Sequence, residues 1–179
     1  MKKLNLLLGT ALSMLMSFSA VVPVSAATSN ITIDAEPTTV DVTVPATAPM
    51  VFNADGTNTV PSNFTIENHS IGEVHLTNIK LHAPNENHWM FAKVGTNLKL
   101  EPANTKTITL KLGAAGAEKS AEIGFTSRSD SATVTFEAKD FVIPADGSKT
   151  LAFVVDRCAF TKAISSEKAV DMTLNFDFN

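Results

Sequence analysis

Cysteine occurs once in 179 residues, at Cys158. No intramolecular disulfide can form, so stability must come from a hydrophobic core. Cys158 itself reads as a small buried strand residue. Tyrosine is absent, tryptophan occurs once and aromatic residues make up 7%. That argues against a carbohydrate-binding face built from several aromatic platforms. Charged residues make up 18%, below the roughly 25% of ordinary globular domains. The only arginines, Arg128 and Arg157, sit in no basic cluster, so nucleic-acid binding has no support. Eight glycines and eight prolines are too few for collagen or a low-complexity tail.

Catalytic signatures are missing too. There is no His-Glu-x-x-His, no Cys-x-x-Cys, no Gly-x-Ser-x-Gly elbow, no Gly-x-Gly-x-x-Gly and no phosphate loop. The 18 carboxylates are scattered, and nothing selects two of them as a glycosidase pair. The chain is therefore expected to be non-enzymatic, with no catalytic, cofactor or metal residues.

What is present begins with an export signal. Lys2 and Lys3 precede the apolar run Leu4 to Met16, and Val24-Ser25-Ala26 places small residues at the −3 and −1 positions. This pattern predicts a signal peptide over 1–26, cleaved between Ala26 and Ala27. The apolar run is short for a span of about 20 residues, so no stable membrane anchor is expected. The product is expected to be secreted, extracellular or at the cell surface. Twelve basic residues against eighteen acidic ones remain after cleavage, and the mature chain is acidic.

From there the chain reads as strands. Val170, Met172, Leu174, Phe176 and Phe178 alternate with polar residues, the mark of a half-buried strand. Val40/Val42/Val44, Phe64/Ile66, Ile108/Leu110/Leu112, Ile123/Phe125, Val134/Phe136 and Leu151/Phe153/Val155 alternate likewise. Val74 and Leu76 are followed by Ile79 and Leu81, a slip of phase that predicts a bulge at Thr77-Asn78. Turns are expected at Asn53–Gly56, Ser70–Gly72 and Asp146-Gly147. The stretch from Gly113 to Ala121 has helical composition but two glycines, and reads as a loop with at most one helical turn. The expected fold is all-β: a single domain over 27–179, an antiparallel β-sandwich, immunoglobulin-like or jelly-roll-like, with little or no helix outside the signal peptide. A closed barrel with a ligand cavity is the alternative.

Pro102-Ala103-Asn104-Thr105-Lys106-Thr107 and Pro144-Ala145-Asp146-Gly147-Ser148-Lys149-Thr150 echo one another. Each reads as a proline ending a strand, a polar turn and a Lys-Thr strand entry. This element, with Phe64–Val74, resembles strand entries in secreted surface β-sandwich proteins of Gram-positive bacteria. The chain is loosely similar to two groups among them, the camelysin/TasA group and the WxL group. The first resemblance implies biofilm-matrix fibres, the second a non-covalent place on the cell wall. Here the chain has Trp89-Met90-Phe91 where the WxL pattern has Trp-x-Leu, and it carries no metalloprotease motif. The implied role is structural or adhesive, through protein partners or the cell wall.

Few residues stand out as candidate sites. His69, His75, His82 and His88 fall within twenty residues. His75, His82 and His88 could supply Zn or Cu ligands as neutral imidazoles; the plainer reading is exposed polar residues on a solvated face. Asn53, Asp55 and Thr57 are too few for calcium, which takes 6–8 oxygens. Trp89 reads as a core tryptophan, or else as an exposed contact residue with His88 and Phe91 for a ligand or glycan. Asn30, Asn63 and Asn68 open Asn-x-Ser/Thr triplets of the kind strands rich in these residues produce by chance. Residues 27–35 form a short arm carrying Ile31 and Ile33 that could add to an open sheet edge, the basis for possible self-association.

Overall fold

The computed structural model describes residues 39–178. The leader, the cleavage point at Ala26–Ala27 and the 27–35 arm lie outside the described residues.

The longest strand, β5 (Val74–His82), is the spine of one sheet. It is preceded by β1 (Val42–Thr43), β2 (Val51–Phe52), β3 (Asn58–Thr59) and β4 (Thr65–Asn68). Along one side of β5 runs the last strand, β14 (Asp171–Phe178), antiparallel over its full length. On the other side lie β10 (Ser131–Thr135) and β11 (Val142–Ile143), end to end. Asn175 pairs with Asn78 but Phe176 pairs with Leu76, so Thr77 is the extra residue of a bulge. The bulge lets Val74 and Leu76, then Ile79 and Leu81, all reach the core despite the slip in their spacing.

The second sheet is built on β7 (Thr107–Ala114), between β13 (Ala152–Arg157) on one side and β6 (Met90–Ala92) and β8 (Ala117–Ser120) on the other. β9 (Arg128–Ser129) pairs with the far side of β6. An isolated bridge from Glu122 to Thr133 joins the segment after β8 to β10. The two sheets therefore curl into each other along that seam. A third sheet, β1-β4-β12 with β12 (Ser148–Thr150), adds Phe64 and Ile66 to one continuous core. The sandwich-like, all-β architecture is the expected one.

Several local expectations need correction. β6 and β7 are parallel, so the sheets are not wholly antiparallel. The stretch after Gly113 is a β-hairpin, β7 to β8, rather than a loop. Gly116 takes φ +82° in its turn. A Cβ on Gly113 would lie 2.9 Å from the Ala117 carbonyl oxygen. Glycine here serves close strand pairing, and tertiary contacts override the helical composition. Ile123 and Phe125 form no strand: Gly124 turns the chain at φ +71°, Ile123 is buried and Phe125 is fully exposed. Only Val42–Thr43 of the Val40–Val44 pattern is strand, and Val40 and Val44 are exposed. Pro102 follows a 3-10 turn over Leu98–Leu100 rather than a strand. The echo between the two corners holds locally. Asn104 and Asp146, each two residues after a proline, both adopt positive φ, 66° and 49°.

Candidate functional site

The hairpin of β2 and β3 turns at Asn53–Gly56, where Gly56 N–H donates to the Asn53 carbonyl. Asp55 Oδ1 accepts from both the Thr57 hydroxyl and the Thr57 N–H. These two bonds, the hydroxyl first, hold the carboxyl below its ordinary range. The oxygens that a cation would need close the turn on itself. Arg157 fixes this hairpin to the body. Its guanidinium donates to the Asn53 carbonyl and the Asn58 side chain, and lies 5.4 Å from the Phe52 ring centroid and 5.7 Å from that of Phe160.

Trp89 packs beside the same rings, at 6.2 Å from Phe52 and 5.9 Å from Phe160. It is 4% exposed and Phe91 is 1% exposed. Neither can be the surface contact that a ligand-binding role would need; both are core. His88, just before Trp89, is exposed, in left-handed backbone at φ 58°. The three residues named together in the sequence therefore form no common surface.

The indole N–H of Trp89 donates to Glu167 Oε1 at 3.0 Å. Lys106 Nζ lies 2.5 Å from that same oxygen and 3.0 Å from the Asn87 carbonyl. Asn87 in turn donates to the Lys168 carbonyl. Asn104 exchanges two bonds with Thr161. Together these bonds tie the connection between β13 and β14 across the entries to β6 and β7. A depression of about 340 Å³ lies beside the strap, with Lys106, Lys162, Ile164 and Glu167 on its wall. The Glu167 carboxylate is engaged by a cation and an indole donor at one oxygen, an arrangement that ties segments together rather than one that passes protons. Sequence reading missed Glu167 and Lys106 as partners. They are 61 residues apart, and residues 161–168 carry no periodic signal.

The histidines do not converge. His69 is exposed, 3.6 Å from Glu67. His82 is exposed, its Nδ1 3.3 Å from Ser131 Oγ. His75 corrects the expectation of a solvated residue, being 4% exposed. The segment between β10 and β11 folds over it. Its Nδ1–H donates to the Ala138 carbonyl and its Nε2 lies 3.5 Å from Glu73. Among the described residues no three metal-ligating side chains come together. Cys158 is fully buried, as expected.

The outstanding geometric feature is β14. Among the described residues it has a strand partner on one side only. Met172, Leu174, Phe176 and Phe178 pack on the core but remain half-buried. The strand contains no proline or lysine, and two aspartates are its only charges. Among the described residues its other side is therefore a sheet edge, beside an apolar face that is only half-buried. No family model matches the chain, and neither a curated protein nor a solved structure matches it.

Proposed function

We propose that the chain is an exported, non-enzymatic protein of the extracellular matrix or cell surface that works through protein–protein contacts. The observation that carries this reading is the side of β14 that has no strand partner among the described residues, with its half-buried apolar face. An added strand would complete the hydrogen-bond ladder and cover apolar area, both favourable in water. The export pattern and the resemblance to surface β-sandwich proteins support the same reading. The alternative, a ligand- or glycan-binding module around Trp89, loses its main support because the ring is buried.

The strand donor in this proposal is the 27–35 arm of a second copy. The chain from Ala27 is compared with one lacking residues 27–36, by light scattering and electron microscopy over time. Filaments or large assemblies are expected from the intact chain alone. If both stay monomeric at high concentration, or both assemble alike, strand donation by this arm is wrong.

A further inference from the structure

We propose that the loops at the β6–β9 end of the second sheet form a contact site for an anionic lipid surface. The proposal is independent of the β14 edge.

Two large apolar side chains are left in water there. Phe125 is fully exposed and Leu100 is 82% exposed. They belong to separate loops, 93–101 after β6 and 124–127 before β9. Pairing of Ala92 with Arg128 brings the roots of the two loops side by side. An ion pair between Arg128 and Glu101 then ties the far end of the first loop to the root of the second. Leu100 adjoins that ion pair in sequence, and Phe125 lies three residues before it. Gly124, at φ +71°, turns the chain so that Ile123 is buried and Phe125 projects. A lone exposed apolar residue is ordinary. Here two lie on loops that an ion pair joins, and we take them together as one apolar tip.

Charge decides the occupant. Across 93–101 and 124–128 the basic residues are Lys93, Lys99 and Arg128, and Glu101, spent on Arg128, is the only carboxylate. Lys93 and Lys99 are exposed. Asp130 lies two residues farther along the chain, past β9, and Glu122 is bridged to Thr133 on β10. The chain as a whole carries more acidic than basic residues, so a basic tip is set against the general charge. Apolar side chains flanked by lysines match the interface of a bilayer: the apolar groups enter the headgroup boundary and the ammonium groups meet anionic headgroups. Such contact is reversible, and it needs no span or covalent anchor.

The test is flotation of the chain from Ala27 with vesicles. One set is phosphatidylglycerol and phosphatidylcholine in equal parts; the other is phosphatidylcholine alone. Binding to the anionic vesicles is expected, at least tenfold weaker to the neutral ones and weakened by salt. Leu100→Ser with Phe125→Ser should reduce it about tenfold or more, and Lys93→Glu with Lys99→Glu should abolish it. All four positions are exposed, and unchanged emission from buried Trp89 shows that the variants fold. Equal binding to both vesicle types, no binding at low salt, or undiminished binding by the Leu100/Phe125 variant would each overturn the proposal. Association of the protein with itself through this tip, without vesicle binding, would overturn it as well.

Discussion

Glu167 shows how much one side chain can hold. It accepts from Trp89 across 78 residues of sequence and from Lys106 across 61. Glu167→Gln removes the charge facing Lys106 and should cost about 1–3 kcal/mol. Urea denaturation followed by emission of the single tryptophan would read both the loss and the changed indole environment. An unchanged midpoint would mean that the strap is held elsewhere. Asp140 gives a pH prediction. Its hydrogen bond from the Lys119 ammonium, then the Glu137 N–H, lowers its affinity for protons in the folded state. The unfolded chain therefore binds a proton more readily. The stabilisation is present at neutral pH and is lost as pH falls below about 4, the ordinary aspartate range. Asp140→Asn should make the loss of stability on acidification through that range less steep, measured by urea midpoints. Parallel profiles for the two proteins would exclude that contribution. The core role of Trp89 was legible in the sequence as one of two readings, whereas its hydrogen-bond partner was not.

Among the elements, β14 was the most legible and β8 the least. Five alternating apolar residues left little other than a sheet strand, and the structure pairs all of 171–178 with β5. The apolar set stays half-buried, however, and among the described residues the strand has a partner on one side only. Leu174 pairs across to Ile79, a fully buried residue. Leu174→Asp would place a carboxylate against that apolar layer and should destabilise by about 2–3 kcal/mol. Chemical denaturation would show this as a clear drop in midpoint; no drop would mean that the strand is not part of the cooperative core. β8 was misread because Ala, Glu and Lys favour helix in isolation. Its register with β7, where Gly113 faces Glu118, settles the matter through close backbone approach. The bulge at Thr77 was legible since it shifts a pattern that lies wholly within one strand.

At the scale of the molecule, the absence of a disulfide and the single continuous core agree. Export is a prediction from residues 1–26. N-terminal sequencing of secreted material should begin at Ala27, and an intact Met1 or a membrane-retained product would refute it. The β14 edge and the proposed lipid-contact tip belong to this scale too, since each depends on what the rest of the described residues leave uncovered.

By itself the sequence determined which stretches form most of the strands, where many of them turn and where β5 bulges. Those features follow from side-chain periodicity along a pleated backbone and from the φ preferences of Gly, Asn and Asp, which act over a few residues. Only the tertiary structure decided that β6 runs parallel to β7, that His75 is covered, that Glu167 meets Trp89 and that Phe125 faces water. Each of these depends on which distant segment lies alongside, and the alternating patterns of one strand are compatible with many neighbours. Long-range pairing selects among them by burying one common core.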